Sequence, residues 1–143
     1  MSVNKRNSEG YYDPTAYEAL IKIEREVRQS HAFRPMVYIC SPLSGNIAAN
    51  QRSARRYCRF AVEGGYIPLA PHLYFPQFMD DGSGAERDLA LFMDIVLLSK
   101  CDQLWVFGER ISKGMSIEIE KAKRKGQPIR WFTTDCKEVT HYA

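Results

Sequence analysis

Two carboxylates stand out by their neighbours. Asp94 lies between Leu91 and the pair Leu97-Leu98 on a stretch that reads as a strongly apolar helix, and a carboxylate among such residues is costly unless it is paired or used. Glu118 falls in the first turn or so of a helix that opens with Gly114-Met115-Ser116. Backbone N–H groups at a helix start favour an ionised carboxylate and attract anions such as phosphate. Each residue also has an ordinary reading: Asp94 as a solvated aspartate at the edge of an apolar stripe, Glu118 as one more acid complementing a helix dipole. Glu120 reads as a solvated partner for Arg124, four residues on.

The loops supply polar groups of the right kind to hold a small molecule. Ser41-Pro42-Leu43-Ser44-Gly45-Asn46 follows an apolar strand and offers hydroxyls, an amide and a glycine where a backbone can approach a sugar or phosphate closely. It matches neither the dinucleotide-binding nor the P-loop pattern, so kinase, ATPase and dehydrogenase readings lose their support. His72 is a general acid, a contact to a base edge, or an anchor for its own loop. Asp80 and Asp81 lie farther along the same loop. Tyr74, Phe75, Phe78 and Met79 are placed to stack on a base, close a lid or fill the loop's own core. No second histidine or cysteine stands at ligand spacing from His72, so no metal site is expected.

The elements that must position these groups follow from pattern and punctuation. After a polar start over Ser2 to Gly10, Asp13-Pro14-Thr15 reads as the cap of a helix running to about Gln29, an addition to the core fold. Met36 to Cys40 is a strand. Asn50 to Glu63 is a helix with Ala54, Tyr57, Cys58, Ala61 and Val62 on one face, stopped by Gly64-Gly65. Tyr66 to Leu69 is a second strand, Ala70 to Asp81 a long loop, and Glu86 to Ser99 a helix with Leu89, Phe92 and Val96 inside. Gln103 to Phe107, Gly108 to Lys113, Gly114 to Lys125 and Pro128 to Phe132 repeat the pattern of strand, loop, helix and strand, and the rest to Ala143 reads as a tail. Such alternation predicts an α/β domain, a Rossmann- or flavodoxin-like three-layer sandwich on a parallel sheet of four or five strands. Ligands of such sheets bind beyond the carboxyl ends of the strands. The expected organisation is an extension over 1–34, a domain over 35–132 and a tail over 133–143.

Composition excludes several classes. At 143 residues, 45% hydrophobic and 26% charged, the chain is an ordinary globular protein of one core domain. Its 20 Lys and Arg against 17 Asp and Glu leave only +3, and the basic groups Arg52, Arg55, Arg56 and Arg59, or Lys121, Lys123, Arg124 and Lys125, lack the interleaved aromatic residues of a nucleic-acid site. They read as solvated helix faces. Cys40, Cys58, Cys101 and Cys136 are too scattered for structural zinc or a redox pair, and Cys40 and Cys58 read as core. With no apolar run of membrane-spanning length and no secretory leader, a reducing cytoplasm is expected.

From Pro35 to Phe132 the sequence resembles the nucleoside 2-deoxyribosyltransferase-like superfamily, within a small bacterial and phage branch of unknown function (DUF4406-like). The resemblance rests on Val37-Tyr38-Ile39-Cys40-Ser41-Pro42-Leu43-Ser44-Gly45-Asn46, on the aspartate at 94, and on Gly114-Met115-Ser116-Ile117-Glu118. It implies N-glycosidic bond cleavage or transfer, with Glu118 attacking the anomeric carbon, Asp94 holding the sugar and managing protons, and Tyr38 orienting the glutamate. Both outcomes follow the double displacement of retaining glycosidases. The resemblance further implies that Ser112, with Gly114 and Ser116, contacts a 5′-phosphate, and the loop residues Ser41, Ser44, Gly45, Asn46 and His72 are the other expected substrate contacts. No cofactor is implied. The expected partners are a nucleoside or nucleotide and further copies of the chain, with no membrane and no nucleic acid. Two other readings compete: a protein that binds a nucleotide without chemistry, sensing or sequestering it in phage and host conflict, and an oligomeric adaptor that uses the first helix and the basic faces.

Overall fold

The computed structural model describes residues 14–30 and 33–140, in two units, Met1–Arg34 and Pro35–Ala143. In the first unit one helix, α1 (Pro14–Ser30), opens on a proline, whose fixed φ suits a first helical turn. The polar start over Ser2 to Gly10 and the expected cap residue Asp13 lie outside the described residues.

The second unit runs β1 (Met36–Cys40), α2 (Ile47–Glu63), β2 (Ile67–Leu69), α3 (Pro71–Tyr74), a 3-10 turn (Phe75–Gln77), α4 (Gly84–Ser99), β3 (Gln103–Phe107), α5 (Lys113–Lys125), β4 (Ile129–Phe132) and β5 (Glu138–Val139). The sheet order is β2-β1-β3-β4-β5. The first four strands are parallel and β5 is antiparallel. This is the α/β fold expected. The segment read as a tail instead turns back on itself: Thr133 N–H donates to the Lys137 carbonyl at 2.8 Å, and β5 pairs Val139 with Trp131 and Glu138 with Phe132. A strand of two residues carries no alternation that a sequence pattern can register. Arg130 reinforces the turn through paired hydrogen bonds of 2.7 and 2.8 Å to Glu138.

Strand residues alternate between two packed faces. Val37, Ile39, Trp105, Phe107 and Phe132 pack with Tyr57 and Ala61 of α2, and the Tyr57 and Phe107 rings stack with centroids 4.1 Å apart. On the other face Tyr38, Cys40, Leu104 and Val106 pack with Leu98 of α4 and Met115, Ile119 and Ala122 of α5. Strands covered on both sides read as continuous apolar runs, which is why β1 and β3 have the bounds their sequence predicts.

Two helical details differ from expectation. Leu89, Phe92 and Val96 of α4, expected inside, are 50%, 65% and 40% exposed. The helix is apolar all round, so periodicity does not distinguish its faces, and these three lie roughly opposite Asp94 and Leu98. The segment 70–81, read as one long loop, contains α3 and the 3-10 turn. Among the described residues, no helix is long and apolar enough to cross a membrane, and all four cysteines are free thiols.

Candidate active site

The chain leaves β1 toward α2 on one face of the sheet and leaves β3 toward α5 on the other. The loops after these neighbouring strands therefore diverge, and a crevice opens beyond the carboxyl ends. There, on the side of α4 and α5, lies a cavity of about 480 Å³, within the range of small-molecule sites. Tyr38, Ser41, Ser44, His72, Asp94, Ser112, Gly114 and Glu118 all line it.

Each of these groups arrives for a local reason. Tyr38 points to the α4/α5 side by strand alternation. Asp94 is brought in by α4, which begins where Ser83 caps it, its hydroxyl accepting from Glu86 N–H; Arg87, Leu91 and Asp94 then fall on one helical face over the cavity. Ser112 caps α5, its hydroxyl accepting from Met115 N–H at 3.2 Å, and α5 starts at Lys113. Glu118 therefore sits in the second turn, beyond the free N–H groups expected to favour its charge, and burial governs it instead. A Cβ placed on Gly114 would meet no atom within 4 Å, so its open face is left to whatever occupies the cavity.

Glu118 is 7% exposed. Burial pushes its carboxyl up to about 8; the Tyr38 hydroxyl, in hydrogen-bonding contact, acts the other way, as does the Cys40 thiol, while the charge of Asp94 adds to the rise. Burial raises Asp94 to about 7, and its Oδ1 is buried with no hydrogen-bond partner. Burial, followed by the charges of Glu118 and Asp94, raises the Tyr38 hydroxyl well above its ordinary value, so it stays a neutral donor. His72 is pushed down to about 4 by burial and is neutral near pH 7. Its Nε2 lies 2.9 Å from Ser41 Oγ. As an acid it would have no proton to spare at that pH; it anchors α3 against the end of β1.

Three expected contacts lie apart from this group. Asn46 caps α2, its side chain accepting from Ala49 N–H at 3.1 Å. Gly45, at φ 96°, makes the left-handed turn before α2 and borders a neighbouring depression with Ser44, Asp80 and Arg87. Ser116 lines a separate shallow depression with Ile95, Glu120 and Arg124. Of the loop residues, Phe75, Met79, Asp80 and Asp81 line the cavity, while Tyr74 and Phe78 are each 59% exposed. Sequence reasoning passed over Glu86, Arg87, Asp88 and Lys113, which also line it. The signal was Ser83-x-x-Glu86, a helix-start pattern that puts Arg87 on the face of Asp94.

A family model described as a domain of unknown function, DUF7768, matches residues 35–132. The chain belongs to this family. That label differs from the DUF4406-like branch expected from the sequence. Comparison with curated proteins finds no match. Among solved structures, the DUF7768 chain is similar to a 2-deoxyribosyltransferase from the psychrotolerant bacterium Bacillus psychrosaccharolyticus, with a TM-score of 0.57 and 16% identity over 68% of this chain and 72% of that one. It is also similar to a 2-desoxiribosyltransferase from Leishmania mexicana, with a TM-score of 0.52 and 14% identity over 69% of this chain and 64% of that one. At these identities the likeness shows a shared fold.

Proposed function

We propose that this protein makes or breaks the N-glycosidic bond of a nucleoside-type substrate through a covalent glycosyl-enzyme on Glu118. The observation that carries the reading is one cavity with two carboxyls held toward the protonated side, the buried Glu118 touched by a phenol and the half-buried Asp94 with a buried oxygen that no protein group satisfies. A sugar hydroxyl is the kind of donor that oxygen lacks. The fold it shares with two deoxyribosyltransferases supports the same chemistry.

The two carboxyls titrate as a pair, which suits double displacement. Burial sets Glu118 at about 8, above Asp94 at about 7, so near neutral pH the proton of the pair rests mainly on Glu118. Tyr38 and Cys40 donate to its ionised form and lower the cost of passing that proton to Asp94, which leaves Glu118 free to attack the anomeric carbon. Asp94 then keeps its proton until the base departs, and gives it to the leaving nitrogen as the C–N bond breaks. The resulting ester between Glu118 and the sugar yields to water, giving hydrolysis, or to a second base, giving transfer. Ser112, Lys113 and Gly114 at the start of α5 offer a place for a 5′-oxygen or 5′-phosphate.

The exposed stripe Leu89, Phe92 and Val96 supports self-association, since a surface helix apolar all round is ordinarily covered. A soluble cytoplasmic protein of two or more copies is the setting that also suits four free thiols. A panel of nucleosides, nucleotides and cyclic nucleotides, incubated with wild type and Glu118→Gln and followed by chromatography, tests the reading. Base released by wild type alone supports it. If neither protein releases base while a panel member raises the melting temperature, the alternative of a nucleotide-sensing or sequestering protein takes its place.

A further inference from the structure

Tyr38 and Cys40 are two residues apart on β1, so both side chains leave the sheet on the same face, and both reach Glu118. The Cys40 thiol is completely buried. Its Sγ lies 3.7 Å from Glu118 Oε1 and 3.9 Å from the Met115 carbonyl oxygen. These two acceptors sit one turn apart on α5, so a single rotation of the S–H bond exchanges one for the other. A thiol is a weak donor in water, but a buried carboxylate with few donors feels each of them strongly. The core cluster that holds Cys40 is otherwise largely apolar, with Val106, its register partner on β3, and Met115 among its members, so packing alone does not call for a thiol at this position.

We infer that Cys40 is a positioning residue for Glu118: its thiol donates to the carboxylate when that group is ionised and turns to the Met115 carbonyl when the carboxyl carries a proton. No bond to sulfur forms. The inference rests on the reading of Glu118 as the nucleophile, and it gives β1 a pair of donors, Tyr38 and Cys40, that fix the direction of the attacking oxygen.

The test is a carbon-13 NMR titration of the glutamate carboxyls in the full chain, with Glu118 assigned by its loss in Glu118→Gln, repeated for Cys40→Ala and Cys40→Ser. In Cys40→Ala the Glu118 carboxyl titrates about half a pH unit higher than in wild type, and Cys40→Ser, which keeps a donor, restores or lowers it. In base release the rising limb of the pH profile moves by the same amount, and kcat falls severalfold with KM within about twofold. An unchanged titration in Cys40→Ala, even with a lower melting temperature, makes Cys40 a packing residue and overturns the inference. Because the titration needs no turnover, absence of base release in wild type would remove the glycosidic reading while the NMR result still decides the role of the thiol.

Discussion

His72 Nε2 and Ser41 Oγ meet at 2.9 Å across 31 positions of chain, tying the first turn of α3 to the end of β1. Ser41 is 8% exposed, and burial holds the imidazole neutral, so it accepts from the serine or donates to it without carrying charge. The bond fixes one wall of the cavity. His72→Ala removes it and leaves the serine hydroxyl unpaired, a loss of about 1–2 kcal/mol, read as a lower denaturant midpoint at constant slope. KM for the substrate rises with it, because Phe75 and Met79 on the same segment lose their placement. A variant with wild-type stability and KM would show that the wall stands without this bond.

The carboxyls make stability depend on pH with a definite sign. Asp94 and Glu118 keep their protons to about 7 and about 8 in the folded chain, whereas in the unfolded chain both lose them near pH 4. The folded state therefore binds more protons in between. Their contribution is fullest below about pH 4 and is lost as pH rises to about 8. His72, held down to about 4 from its ordinary 6.5, acts in the opposite sense, adding stability as pH rises between those values, so the carboxyl effect is cleanest above pH 6.5. The melting temperature of wild type falls between about pH 6.5 and 8.5, and the fall shrinks in Glu118→Gln. Equal falls in the two proteins would mean that Glu118 is ionised throughout.

Much of this was legible in the residues. The alternation of apolar runs with capped helices led to the α/β fold, and the bounds of β1 and β3 follow from strands covered on both faces. Asp94 announced itself by being the wrong residue type for its surroundings. What the sequence does not carry is direction around an element: α4 is apolar on every side, so Leu89, Phe92 and Val96 could not be told from Leu98, and Ser116 could not be told from Ser112. Asn46 and Gly45 show a second limit, since small polar residues serve caps and turns as readily as ligands. Glu118 lies in the second turn whether α5 is counted from Gly114 or from Lys113, and position along the helix carries no sign that the side chain is buried, so burial rather than the helix dipole is in control.

Asp94→Asn keeps the shape of the pocket and removes its transferable proton. We expect kcat to fall by about 10²–10⁴, with the smaller loss for substrates whose base leaves without protonation. Comparing release of a good and a poor leaving base by the variant measures this directly. Equal losses for both would assign Asp94 to holding the sugar alone.

Phe92→Glu places a charge in the exposed stripe of α4, on the side of the helix away from Asp94. Sedimentation velocity at micromolar concentration should show wild type as a dimer or larger and the variant as a monomer of 16.5 kDa. A monomeric wild type would mean that the stripe is not where copies of the chain meet.

The most direct test of the central claim is intact-protein and peptide mass spectrometry of wild type and Glu118→Gln, acid-quenched during reaction with the nucleoside that releases base. The account predicts a mass increase of one sugar on wild type, mapped to the peptide containing Glu118 and absent from the variant. A sugar found on another residue, or base released at the wild-type rate by Glu118→Gln, would contradict it.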